Sequence, residues 1–204
     1  MTTIRRLERD DDAEVTRLFK EAFGEGDDTT PHVNPIDRPG RRFWVAEEDG
    51  HLIGSTVDRE FDTWFGDVAV PTAGIGGVTV RAEARGRGLV TPLFEHMLAE
   101  SRRRGAVISA LYPTSPGIYR RFGYAPVVDL MELRVRTRDL AVPGDTVPVR
   151  RATAADLPAI REVYTRWAVA HNGPLTRSGV SFPDTDEDAL KAVSGITVAE
   201  SGSG

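Results

Sequence analysis

Apolar residues recur along this chain in two rhythms. Val15, Leu18, Phe19, Ala22 and Phe23 stand three and four apart, predicting a helix to about residue 23. Asp10, Asp11 and Asp12 precede it and supply an N-cap and negative charge for its first turn. The same rhythm in Leu89, Leu93 and Met97, with Phe94 and Leu98, predicts a second helix from about residue 88. Three arginines, Arg102 to Arg104, and then Gly105 suit the end of that helix. Strand-like runs cover residues 4–7, 42–47, 52–65, 75–80 and 106–112. Asp49-Gly50 and Gly66-Asp67 are turn signals between them. Residues 68–72 lead into the fourth run, and an alternating stretch through Leu130, Met131, Leu133 and Val135 predicts one more strand.

Between the run at 75–80 and the second helix lies Arg85-Gly86-Arg87-Gly88-Leu89-Val90. A strand, a basic glycine turn and a helix start make a receptor for phosphate. Free N–H groups point out of the first helical turn, and the helix dipole adds positive potential there. Arg85 and Arg87 bring fixed charge. Taken alone, the segment fits an ordinary strand–turn–helix with exposed arginines equally well. It matches neither the P-loop nor the dinucleotide fingerprint.

Composition narrows the classes. The chain has 204 residues, 40% apolar and 28% charged, as expected of a soluble globular protein. No apolar run approaches the roughly 20 residues that span a bilayer, and residues 1–6 lack a secretory core, so a cytoplasmic protein with no membrane partner is expected. With no cysteine, thiolate metal sites and cysteine nucleophiles are excluded, and no metal is expected. A net charge of −5 argues against nucleic acid as a partner. Asp58, Glu60 and Asp62 fall on one face of the long strand at 52–65. That face is either solvated or an acidic wall that attracts a protonated amine. The segment at 24–40, rich in Gly, Pro and Asp, is a long loop of the kind that borders binding sites or simply connects.

Val78-x-Val80 followed by Arg85-x-x-Gly88-x-Val90 resembles the coenzyme loop of the GNAT (GCN5-related N-acetyltransferase) superfamily. Tyr119 followed by Phe122-Gly123-Tyr124 resembles the late GNAT motif. The run at 115–124 and the lead-in Pro71-Thr72-Ala73-Gly74-Ile75 resemble the enhanced intracellular survival (Eis) type of acetyltransferase. The resemblance covers residues 1 to about 138. It implies an α/β (α+β) GNAT fold, a mixed, mostly antiparallel sheet flanked by helices. It also implies acetyl-CoA as cosubstrate and a small-molecule amine, aminoglycoside-like or lysine-like, as acceptor. Val78, Thr79, Val80, Arg85, Gly86, Arg87, Gly88, Leu89 and Val90 would bind the coenzyme, and Tyr119 would give a proton to its sulfur. The general base stays open among Asp58, Glu60 and a water chain. In the Eis family a C-terminal carboxylate fills that role.

After residue 148 the chain starts again. Val149-Arg150-Arg151 echoes Ile4-Arg5-Arg6, and Asp156, Ile160, Val163 and Tyr164 match Asp11, Val15, Leu18 and Phe19. Thr197-Val198-Ala199-Glu200 echoes Trp44-Val45-Ala46-Glu47. The expected division is a GNAT domain at 1–140, a linker at 141–148 and the incomplete start of a second GNAT-like module at 149–204. That reading implies a truncated version of a longer chain, for which the resemblance implies a homo-oligomer. The alternative function is a non-catalytic acyl-CoA-binding module of a larger protein.

Overall fold

The computed structural model describes residues 1–24, 33–129, 131–141 and 147–200. Residues 25–32 of the loop expected at 24–40, and the centre of the expected linker, lie outside the described residues. The chain forms two compact units, residues 1–112 with 159–185, and residues 113–158 with 186–204.

The first unit is built on a five-stranded sheet in the order β1-β2-β3-β4-β5. The strands are β1 (Thr3–Arg6), β2 (Arg41–Glu48), β3 (His51–Phe65), β4 (Val68–Val80) and β5 (Ile108–Leu111). The first four pair antiparallel, and β5 joins β4 in parallel. The predicted turns at Asp49-Gly50 and Gly66-Asp67 close the β2–β3 and β3–β4 hairpins. The crossover from β4 to β5 carries a helix, as a parallel connection requires.

Helices cover both faces, because side chains along a strand alternate. Helix α1 (Asp12–Phe23) packs Val15 and Phe19 against Leu7, Phe43, Val45 and Leu52. Helix α2 (Val90–Arg103) packs Leu93 with Leu89 against the next residues along, Ala46 and Ile53. Leu93, Phe94 and Met97 are wholly buried. Gly105 ends α2 in the left-handed region, with its N–H on the Arg102 carbonyl.

Strand β2 ends opposite Arg59, which leaves the far end of β3 without a β2 partner. Residues 173–176 cover that edge. Gly173 donates to the Trp64 carbonyl, Trp64 to that of Pro174, and Thr176 to that of Asp62. Tyr164 braces the segment by donating its hydroxyl to the Leu175 carbonyl at 2.7 Å.

The second unit holds α3 (Pro116–Tyr119), the antiparallel pair β6 (Val149–Arg151) and β7 (Thr197–Ala199), and α5 (Asp186–Lys191). Helix α4 (Leu157–Val169) has its first two residues in this unit and the rest in the first. Among the described residues the strand expected after Tyr124 is absent, and Leu130 of that stretch lies outside them. Residues 124–129 and 131–136 hold no strand, and Val127, Val128, Met131 and Leu133 are exposed. Alternation makes a residue run compatible with a strand, but a ladder partner is what makes it one.

Candidate active site

Strand β4 carries the site because it outruns its neighbour. The parallel register ends at Ile75 and Leu111, while β4 continues to Val80. Pro113, which has no N–H, follows closely after β5. Beyond Ile75 the β5-side edge of β4 is therefore open.

A bulge turns specific groups toward that edge. Ser55 pairs with Thr79 and Val57 with Gly76, so Gly77 and Val78 together face Thr56. Gly77 has φ +55, and a Cβ there would come within 2.8 Å of the Phe19 ring. Its carbonyl accepts from the Ser55 hydroxyl at 3.0 Å, on the β3 side. A trans peptide points its C=O and N–H in opposite directions, so the Val78 N–H faces away from β3. Arg81 N–H bonds the Ile53 carbonyl across β3 at 2.9 Å. By the same rule the Val80 carbonyl faces the open edge, where Arg85 Nε donates to it at 3.3 Å, and the Val80 N–H shares that side. The expected Val78 and Val80 groups thus emerge on one edge, while Thr79 is spent on β3.

Gly77→Ala is expected to lower stability by about 1–3 kcal/mol through overpacking against Phe19 and the positive φ. It is also expected to weaken coenzyme binding by re-aiming Val78. Urea midpoints and a coenzyme titration measure both, and an unchanged midpoint would refute the packing account.

The open edge leads to the basic glycine turn. Gly86 and Gly88 both have φ +77, a backbone shape that glycine adopts without strain and that lets the chain approach a ligand closely. Among the described residues no main-chain carbonyl accepts from the N–H groups of Gly86, Arg87, Gly88 or Leu89. Arg85 N–H is used by Ala82 at 3.3 Å. Leu89 is buried in the core that anchors α2, so its side chain holds the turn while its N–H points out. Val90 opens the helix. The Arg87 guanidinium is forked onto Glu48 at 2.6 and 2.8 Å, and this pair, with the Thr2 hydroxyl, pulls the Glu48 carboxyl down to about 2. The free charge expected of Arg87 is therefore already matched.

Of the two readings of the acidic β3 face, solvated or an amine-attracting wall, the wall is not supported at Asp58 and Glu60. Asp58 and Glu60 do share a face, but it is the α2 face. Asp58 accepts from the Ser101 hydroxyl at 2.7 Å and from Arg104, and only 1% of the residue is exposed. Glu60 is bonded by Arg42 and Arg104, each at 2.8 Å. Their charges are matched by arginines, so neither is placed as a free base. Burial pushes the Asp58 carboxyl up, opposed by Ser101, Arg104 and Arg42.

On the other face, where β4 parts from β5, lies a cleft of about 530 Å³. Val57, Phe61, Gly76, Leu111 and Tyr112 line it, and Arg41 and Arg59 supply its charge. The bulge and the arginines were not anticipated. The doublet Gly76-Gly77 inside a strand run is a bulge signal that was there to be read.

Tyr119 belongs to the second unit, at the end of α3. It is 7% exposed and meets Tyr124 edge-on at 6.2 Å between ring centres. Burial raises its phenol above the usual 10, so it keeps its proton at neutral pH. Among the described residues no group of His, Asp and Glu is arranged to hold a metal, and no helix is long and apolar enough to cross a membrane.

The family model for the acetyltransferase (GNAT) domain matches residues 3–127. The chain belongs to the GNAT acetyltransferase family. An uncharacterized N-acetyltransferase of Streptomyces coelicolor is 33% identical over 151 residues, covering 70% of this chain and 37% of that one. N-acetyltransferase Eis of Mycobacterium tuberculosis is 33% identical over 132 residues, 58% of this chain and 32% of that one. The chain thus spans about a third of the length of these GNAT relatives. A GCN5-related N-acetyltransferase from Kribbella flavida shares the fold, with a TM-score of 0.68 at 24% identity over 98% of this chain and 53% of that one. The mixed, mostly antiparallel sheet flanked by helices is the GNAT sheet expected from the sequence.

Proposed function

We propose that this chain transfers the acetyl group of acetyl-CoA to a primary amine of a small molecule. The observation that carries the reading is the unpaired edge of β4 at Val78 and Val80, running into a turn of free N–H groups. Those groups suit an extended amide arm and then a pyrophosphate. Acetyl-CoA supplies the activated thioester. Val78 N–H is a fixed donor for the oxygen on which charge develops. The amine gives a proton to solvent water as the C–N bond forms and the C–S bond breaks, and Tyr119 gives its proton to the departing sulfur and recovers one from solvent. Aminoglycoside-like polycations and lysine-like amines are the two acceptor classes this reading admits.

We also assign residues 1–140 to a GNAT domain, 141–148 to a linker and 149–204 to part of a second GNAT-like module. A duplicated ion-pair network supports the assignment. Arg5 forks onto Asp11 at 2.6 and 2.9 Å and bonds Glu47, and Arg150 forks onto Asp156 at 2.9 and 2.7 Å and bonds Glu200. Asp11 accepts from the Glu8 N–H, and Asp156 from that of Thr153. Arg5 stands opposite Val45, and Arg150 opposite Val198. Self-association into a homo-oligomer is proposed for the whole protein.

Release of coenzyme thiol with a panel of amines tests the function. Acetyl-CoA-dependent release with at least one amine is the expected result. Coenzyme binding without release for any amine would leave an acyl-CoA-binding module instead.

A further inference from the structure

The cleft beside β4 has a charge opposite to that of the chain as a whole. Arg41 and Arg59 stand directly opposite each other on β2 and β3, and both line it. Among the described residues no carboxylate lines the cleft. Asp58 and Glu60 of β3 point to the other face and are matched there by Arg42 and Arg104. Like charges directly opposite on neighbouring strands are destabilising. The Arg59 side chain is nevertheless held in place. Arg59 donates to the Ser181 carbonyl at 2.8 Å and lies over the Phe182 ring at 5.2 Å, and its Nε is buried with no partner. Among the described residues Arg41 has no acidic partner. Burial and the charges of Arg38 and Arg59 pull its pKa below the usual arginine value. Two neighbouring guanidinium groups in one cleft attract an anion and repel a polycation.

We propose that the acceptor carries an oxyanion, carboxylate or phosphate, beside its amine, and that Arg41 and Arg59 bind that oxyanion in the cleft. The proposal rests on the acetyl-transfer reading for the amine's fate, but not for the anion's binding. Both arginines are specificity-determining. The remaining walls, Val57, Phe61, Leu111 and Tyr112, are apolar or aromatic and suit a short carbon chain. A lysine-like acceptor fits this chemistry and an aminoglycoside does not.

Initial rates with matched pairs test it: lysine against cadaverine, phosphoethanolamine against ethanolamine, and kanamycin as the polycation. The expected result is about tenfold or greater preference in kcat/KM for the oxyanion-bearing member of one pair, and which pair tells carboxylate from phosphate. Arg41→Met is expected to remove the preference mainly by raising KM for the oxyanion-bearing member at least about tenfold more than for its partner. Arg59→Met is expected to do the same, and if it fails to fold, Arg41→Met still decides. Preference for cadaverine or kanamycin, or a preference that survives Arg41→Met, overturns the proposal. Titrating lysine, cadaverine, phosphoethanolamine and ethanolamine into the CoA-saturated protein gives a readout independent of turnover. Binding of lysine or phosphoethanolamine that needs Arg41, without thiol release, upholds the anion site while the acetyl-transfer reading falls. Binding of neither, or equal binding within both pairs, overturns the site.

Discussion

Tyr119→Phe is expected to lower kcat by about 10²-fold or more while leaving coenzyme affinity near that of the native protein. The departing group is a thiolate whose thiol has a pKa of about 8.5, and it leaves faster when a donor meets its growing charge. Burial keeps the Tyr119 phenol protonated well past neutrality, so the donor is in the required state across the working range. The change deletes one oxygen and keeps the ring that meets Tyr124. Steady-state kinetics with a separate coenzyme titration make the measurement. In the native protein kcat should fall as pH rises through the phenol's pKa, above 10, and the variant should lack that limb. A rate within twofold of native would remove Tyr119 from the mechanism.

The second large effect is on stability. Asp58→Ala is expected to cost about 3 kcal/mol, the low end for breaking a buried charge pair. The low end applies because Arg104 is 21% exposed in its side chain and retains Glu60. Asp58 joins β3 to the last turn of α2 through Ser101 and Arg104, so its loss weakens the attachment of α2 to the sheet. Asp58→Asn should cost less, since it keeps the shape and sheds a charge that burial disfavours. The sign follows from the pKa. The folded state binds the Asp58 proton more tightly than the unfolded state, so the charged carboxylate costs stability above its folded pKa, and that cost fades as pH falls through it. Urea unfolding should show a lower midpoint at unchanged slope. At a temperature where the variant stays folded, kcat/KM should match the native value, because Asp58 is sealed from the cleft. A large loss of kcat in folded protein would make Asp58 catalytic after all.

Much of the first unit was legible, because its signals are local. The stripe on α1, the Asp49-Gly50 turn and the basic glycine turn each depend on residues within a few positions of one another. The strands expected at 42–47 and 52–65 form at Arg41–Glu48 and His51–Phe65. The face of Asp58 and Glu60 was legible as a shared face, but its neighbour was not. Period-two alternation says which residues lie together and is silent on whether water or a helix lies over them. The stretch after Tyr124 shows the same gap. Its alternation is present, but no ladder partner stands beside it among the described residues. The packing of residues 173–176 against β3 was invisible, since those residues have no strand pattern and act by covering an edge.

The candidate site divides along the same line. The chain's own residue order determines a strand, a glycine turn and a helix start in succession, because backbone sterics and helix capping are set by neighbours in sequence. It also determines the GNAT membership, carried by motifs at 71–90 and 115–124. Only the tertiary structure decided that β5 stops short and opens the edge of β4. Only it decided that Glu48 takes the Arg87 fork, and that Arg41 and Arg59, 18 positions apart, meet across two strands to give an acidic chain a positive cleft. Register and strand length depend on distant partners. The sign of a cleft depends on which charges are matched elsewhere, and both follow from packing across the fold.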